Sequence, residues 1–225
     1  MKHAAPALFL LLLLATMAGC RKDEETPYDP GYAYFPTDPG RWVEYRVDSA
    51  WRNDPVGLWD STSYQLREEI TNHFTDAEGR PAQRLLRSRL DSTGNWEPKD
   101  VWWQVRTTRN AERSEENQRR IKLIFPPRTG QYWNTNALNT GQPYELTYLE
   151  VDVPWSINGM SFDSTLLVKT TYPNNAVVAN TYYERYAKHV GLVYRQVDST
   201  NTQYTSGGIQ VRGTWYKQVI TAYGP

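Results

Sequence analysis

Few residues of this sequence have the types and spacing that chemistry demands, and the acids come first among them. Glu68, Glu150, Asp152 and Glu184 lie inside otherwise apolar runs, where an acid faces inward, lies on the solvated face of its strand or pairs with Arg. A glycoside hydrolase needs two such carboxylates across a cleft, and no pair here is marked out by its spacing. His73 and His189 each stand alone. A zinc site wants further His or Cys a few residues away, so both read as solvated side chains near strand ends. The serines lack a G-x-S-x-G elbow, and neither G-x-x-x-x-G-K-[ST] nor G-x-G-x-x-G occurs. No enzyme, no metal site and no cofactor are expected. Lys+Arg and Asp+Glu both total 25, so the chain offers no basic field for a nucleic acid. The mixed-sign run 111–120 reads as an exposed hairpin end.

The single cysteine, Cys20, has a more specific setting. Met1-Lys2-His3 makes a positive start, Ala7 to Leu14 an apolar run, and Ala15 to Gly19 a stretch of mostly small residues. The apolar run is too short for the ~20 residues of a spanning helix, and it ends as a cleavable signal does. Met17-Ala18-Gly19-Cys20 resembles the lipobox of bacterial lipoproteins, with Met17 where Leu is usual. The resemblance implies that residues 1–19 are removed and that Cys20 is lipidated. Two or more acyl chains anchor a protein stably, since each buried CH₂ contributes about 0.8 kcal/mol. Arg21, in place of the Asp that marks inner-membrane retention, implies an outer-membrane anchor. Lys22-Asp23-Glu24-Glu25 resembles the signal that sorts some lipoproteins to the cell surface. A charged tether on the periplasmic face is the other expectation. Residues 20–33, polar and carrying Pro27, Pro30 and Gly31, form the lipidated cysteine and tether.

The elements beyond the tether must be strands. Val43, Tyr45 and Val47 alternate with Glu44, Arg46 and Asp48; Ile121, Leu123 and Phe125 form another such set, and Leu149, Val151, Val153 and Trp155 a third. Further runs occupy 162–172, 181–188, 191–198 and 209–222. Period-two alternation with β-branched and aromatic residues is the half-buried strand signal. Asp76-Ala77-Glu78-Gly79, Asp91-Ser92-Thr93-Gly94-Asn95 and Asn158-Gly159 supply tight turns. The expected fold is mostly β: one antiparallel meander of about ten strands, residues 34–225, curved into an open half-barrel. A weak repeat divides it near residue 125. Phe35-Pro36 through Gly40 to Trp42 and Phe125-Pro126 through Gly130 to Trp133 both read F-P-x-x-x-G-x(1–2)-W, which suggests two similar halves. The polar stretch 126–143 is the expected irregular loop.

Aromatic residues are in surplus, with 9 Trp and 16 Tyr. Trp102 and Trp103 must point to opposite faces of a strand. Trp103 shares its parity with Val101 and Val105, so these three are expected to line a concave apolar face, opposite Trp102, Gln104 and Arg106.

Tyr186-Ala187-Lys188-His189-Val190-Gly191-Leu192-Val193, together with the Phe-Pro-x-x-x-Gly-x-Trp motif, resembles segments of uncharacterised bacterial envelope lipoproteins. Some of these are similar to the lipoprotein carriers LolA and LolB, which implies a half-open barrel around an apolar cavity. Gly40-Arg41-Trp42 also resembles the first-strand motif of the lipocalins, which implies a closed barrel with Arg212 as the partner of Trp42. The functional expectation is an anchored binding protein holding an apolar or lipidic ligand. A lipoprotein that contacts another envelope protein, with no small-molecule ligand, is the alternative.

Overall fold

The alternating runs become twelve antiparallel strands in a computed structural model that describes residues 28–225. Cys20, Lys22, Asp23, Glu24 and Glu25 lie outside the described residues. The strands of the N-terminal half are β1 (Trp42–Asn53), β2 (Leu58–Thr75), β3 (Pro81–Leu90), β4 (Trp96–Arg106), β5 (Asn110–Glu115) and β6 (Gln118–Ile124). Those of the C-terminal half are β7 (Tyr132–Asn134), β8 (Glu145–Ile157), β9 (Met160–Thr170), β10 (Val178–Ala187), β11 (Gly191–Thr205) and β12 (Gly208–Gly224). The turns form as their residues dictate. Asp91 Oδ1, for example, accepts the amides of Thr93 and Asn95, each at 2.8 Å.

The sheet is the single antiparallel meander that the sequence implies, with twelve strands rather than about ten. Its order is β6-β5-β4-β3-β2-β1-β12-β11-β10-β9-β8-β7. Each half is a meander of neighbours, and β1 pairs with β12 along its whole length to join them. The sheet curls until β6 and β7 nearly meet, leaving a barrel with one unsealed seam. The stretch 126–143 is not wholly irregular, because it contains the three-residue β7. The lipocalin alternative fails on strand number and on its arginine. Arg67 lies 4.4 Å over the Trp42 ring, whereas Arg212 pairs with Asn53 at the opposite end of β1.

The two copies of the F-P-x-x-x-G-x-W motif build the same turn. Gly40 N donates to Ile70 O at 2.7 Å and Ile70 N to Arg41 O at 2.9 Å. Gly130 N donates to Tyr148 O at 2.8 Å and Tyr148 N to Gln131 O at 3.1 Å. Ile70 and Tyr148 occupy the second strand of their respective halves, β2 and β8. Both glycines take positive φ, +88° and +82°, a conformation that costs L side chains about 1–2 kcal/mol.

The residues that follow the tether close one end of the barrel. The 3-10 turn Tyr32–Tyr34 is held by His189 N on Ala33 O at 2.7 Å and by Arg106 Nη1 on Tyr32 O and Phe35 O. Tyr34 and Phe35 are fully buried among Leu123, Leu146, Leu166, Tyr186 and Leu192. Burying each such large apolar side chain contributes roughly 1.5–3 kcal/mol. Lys188 Nζ, 2.8 Å from both Asp29 and Asp152, latches the plug from outside. Modest burial works to raise the Asp152 pKa, and hydrogen bonds from Lys188, Tyr34 and Ser164 overcome it, drawing the carboxyl down to about 2. The β1–β2, β3–β4, β5–β6 and β11–β12 turns lie at the other end, which the plug leaves open.

Candidate functional site

The inner face of the barrel beyond the plug is charged, and this decides what the open end can hold. Lys122 of β6 lies 3.1 Å from Glu115 of β5 and 2.6 Å from Glu184 of β10. Arg195 of β11 reaches the same two carboxylates at 3.2 and 3.3 Å. Lys122 is 1% exposed and Glu184 0%, a burial that ions tolerate only when paired. Tyr186 OH donates to Glu184 Oε2 at 2.7 Å, and Lys122 donates to Tyr182 OH at 3.1 Å. A second cluster adjoins it through β5, which carries both Glu115 and Arg113. Arg87 contacts Glu68 and Asp100, each at 3.0 Å, and Arg113 contacts Glu68 at 3.2 Å and Gln104 at 3.1 Å.

Burial would raise the pKa of Glu115, but Arg195, Lys122 and Arg113 outweigh it and hold the carboxyl well below the usual range. Glu184 is likewise lowered against its burial, by Lys122 and Arg195. Burial and the neighbouring Glu184 push Tyr182 and Tyr186 far above 10. At neutral pH the carboxylates are therefore ionised and the phenols neutral. Glu115 and Glu184 are thus shifted away from the pH 7 range on one side and Tyr182 and Tyr186 on the other, so these four groups orient and attract rather than exchange protons there.

Above these ions, the open end forms a cleft of about 690 Å³, within the usual range for a small-molecule site. Its floor is Arg87, Trp102, Glu115, Tyr182 and Arg195, and its walls carry Tyr64, Tyr144 and Tyr216. Arg87 lies 3.6 Å from the Trp102 ring centroid, a cation–π contact that fixes the indole. The Trp102 Nε1–H is buried with no hydrogen-bond acceptor among the described residues. Leaving a buried polar group without a partner costs about 1–3 kcal/mol, and Arg195 Nε on the same floor is likewise buried without a hydrogen-bond acceptor among the described residues. An open cleft at the plugged end has no comparable group. There Lys188 is held by Asp29 and Asp152, and Arg41 by Asp38 and His189 O.

The sequence placed the concave face of β4 on the wrong parity. Trp102 and Gln104 point inward, while Trp103 stands opposite Arg84 and Ser114 on the outer face and Val101 is 55% exposed. Val105 is buried, but beside Glu112, whose carboxylate Arg80 and Arg119 grip. None of the three lines the cleft. The physical cause is the charged interior: inward-facing Arg87, Gln104 and Glu115 make the inner parity look polar. Trp102 and Trp103 do point to opposite faces, as their adjacency requires.

Of the four flagged acids, Glu68 and Glu184 enter the buried network. Glu150 pairs with Arg185 at 2.5 Å, and Asp152 joins the plug latch. His73 Nε2 lies 2.8 Å from Thr37 O, and His189 takes a positive φ of 65° in the β10–β11 turn. No group of three or more His, Cys, Asp or Glu among the described residues could hold a metal ion. Sequence reasoning missed Glu115, Lys122 and Arg195. On β6, Arg120 and Lys122 at alternate positions read as a solvated face; on β11, Arg195 shares its parity with Val193 and Val197, a lone charge within an apolar set.

No family model matches the chain, and no curated protein is similar to it. Two solved structures resemble it at low identity. One is a presumed lipoprotein of Parabacteroides distasonis ATCC 8503, 13% identical, with a TM-score of 0.40 over 85% of this chain and 98% of that one. The other is a presumed exported protein of Bacteroides fragilis NCTC 9343 with a YmcC-like fold, 10% identical, with a TM-score of 0.36 over the same shares. With TM-scores below 0.5, neither neighbour lends this chain a function.

Proposed function

We propose that this protein is a lipid-anchored envelope protein that binds a small ligand in the open end of its barrel. The observation that carries the reading is the buried, unpartnered Trp102 Nε1–H on the floor of the 690 Å³ cleft. A donor without an acceptor is what a site built for an absent polar group presents. The ionic floor turns the reading away from the purely apolar ligand that the aromatic surplus implied.

The anchor adds an orientation. Tyr28 and Asp29 lie at the plugged end, where Asp29 meets Lys188. Cys20 precedes Tyr28 by eight residues, a reach of at most about 28 Å when fully extended. Lipidated at Cys20, the barrel keeps its plugged end toward the membrane and its cleft toward the aqueous compartment. A ligand then arrives from solution rather than from the anchoring bilayer. Binding, rather than catalysis, suits buried carboxylates held by cations, as Glu115 and Glu184 are by Lys122 and Arg195.

One preparation tests both parts. The Cys20→Ala protein should leave the membrane fraction, and native mass spectrometry of that soluble protein should show a bound small molecule. Retention on the membrane overturns the anchor. A barrel without any adduct, whose thermal midpoint does not move with a small-molecule extract of the envelope, leaves only the interaction-lipoprotein alternative.

A further inference from the structure

We infer that the ligand of the cleft is an acidic saccharide, its anionic group held by Arg120 and its ring faces by the cleft tyrosines. The inference rests on the binding reading above and adds the class of ligand.

Arg120 is the first observation. It stands opposite Arg113 on the inner side of the β5–β6 hairpin and lines the cleft. The other cations of the cleft are matched: Arg87 with Glu68 and Asp100, Arg195 with Glu115 and Glu184, and Lys99 with Asp100. Arg120 makes no ion pair among the described residues, and its one hydrogen bond there runs from Nη2 to Gln118 Oε1 at 2.7 Å. That bond orients the guanidinium without neutralising it. A guanidinium fork matches a carboxylate or phosphate with two parallel hydrogen bonds. Two acids also reach the cleft. Asp198 is engaged by Gln196 Nε2 at 2.6 Å, and Glu116 sits on the exposed tip of the β5–β6 turn.

The walls are the second observation. Tyr64, Tyr144 and Tyr216 are half-buried and line the cleft. Tyr144 is braced by Tyr172 and Tyr182, with centroids 5.4 and 5.9 Å away. Tyr216 OH donates to Gln218 Oε1 at 2.6 Å. Rings that offer an apolar face and a polar rim suit a ligand with C–H faces and equatorial hydroxyls. Trp102 Nε1–H supplies the unpaired donor beneath them for a ligand oxygen.

The floor excludes an acyl chain. A lipid tail descending past Tyr182 would meet Lys122, Glu115 and Glu184, and stripping water from paired charges to lay hydrocarbon on them is unfavourable. The ligand must therefore be polar throughout its depth.

The test is a glycan array probed with the soluble Cys20→Ala protein, carrying uronic-acid, sialic-acid, phosphorylated and neutral members. Calorimetry on the strongest array binder follows. Binding should be confined to acidic members and weaken with added salt. Arg120→Ala should lose at least tenfold in affinity, Arg120→Lys should recover part of it, and Trp102→Phe should lose a few-fold. The thermal midpoint of each variant shows that it is folded. Equal binding of neutral glycans, no glycan binding at all, or an unchanged Arg120→Ala overturns the inference. An adduct in native mass spectrometry without glycan binding would keep the binding function and discard the ligand class.

Discussion

The two halves of the barrel meet twice, and the two meetings are built differently. Where β1 meets β12, backbone pairing runs from Trp42–Gly224 to Asn53–Arg212. Where β6 faces β7, one backbone bond crosses among the described residues, Ile121 N to Thr135 O at 2.9 Å. Side chains supply the rest. Trp133 Nε1 and Thr135 Oγ1 both donate to Ile121 O, and Asn139 Nδ2 donates to Arg119 O. Tyr148 OH accepts from Ile124 N at 2.8 Å and donates to Ile124 O at 2.7 Å, standing in for a missing strand residue. The contrast shows that an edge strand can be satisfied without a partner strand, provided that each inward N–H and C=O finds a side chain.

Sequence explains why the two differ. β1 continues as Val43-Glu44-Tyr45-Arg46-Val47, a half-buried strand pattern. The equivalent strand β7 ends at Asn134, whose Oδ1 accepts the amides of Asn136 and Tyr144 and folds the chain into a loop. The seam lies beside the cleft, with Arg120 and Asn136 on its two sides. The weaker junction is therefore the one at the candidate site.

The largest effect is expected where the ionic network bridges that weak junction. Lys122 on β6 ties Glu115 in its own half to Glu184 in the other. Lys122→Ala leaves two buried carboxylates sharing Arg195, which should cost about 3–5 kcal/mol in urea unfolding. Arg46→Ala on β1, an exposed residue at the sealed junction, should change stability by less than about 0.5 kcal/mol. A loss below 1 kcal/mol at Lys122 would mean that the seam does not depend on this network.

A smaller effect separates the two kinds of stitching. Tyr148→Phe removes the hydroxyl that serves both backbone groups of Ile124, and leaving them unmatched should cost about 1–3 kcal/mol. Amide exchange at Ile124 should quicken while amides of β1 and β12 keep their protection. Tyr45→Phe at the sealed junction withdraws a single donor from Leu192 O, so its cost should lie at the low end of that range. Equal protection of Ile124 in wild type and Tyr148→Phe would show that Tyr148 is not its partner.

What could be read in the sequence follows from the same physics. The strands were legible because alternation is strong wherever one face meets an apolar core, as at Val43 to Val47. The motif turns were legible because Pro, Gly and Trp at fixed spacing leave few conformations. The inward parity of β4 was not, since it assumes that inside means apolar. Trp102 faces a cleft floored by Arg87 and Glu115, and Val101 faces solvent. Arg120 was hidden for the same reason: in a run of mixed charges, nothing in one dimension separates a guanidinium facing a cleft from its outward neighbour Arg119. The partners that tell them apart, Glu78 in the β2–β3 turn and Glu112 on β5, both meet Arg119.

The smallest expected effect bears on whether the halves are equivalent at all. Gly40 and Gly130 take nearly the same positive φ, and a Cβ at either would meet nothing within 4 Å. Alanine at either position therefore costs only backbone conformation, about 1–2 kcal/mol. If the turns are equivalent in energy as well as in hydrogen bonding, Gly40→Ala and Gly130→Ala should shift the unfolding free energy equally, to within about 0.5 kcal/mol. Their settings differ in one respect: Gly40 leads into the sealed strand β1, and Gly130 into the short β7 at the seam. A seam that opens locally before global unfolding would relieve strain at Gly130 without relieving it at Gly40. A distinctly smaller cost for Gly130→Ala, with faster exchange at Tyr148 and Ile121, would show that β7 frays in the native state. Equal costs would mean that the side-chain stitches hold the seam as firmly as backbone pairing holds its counterpart.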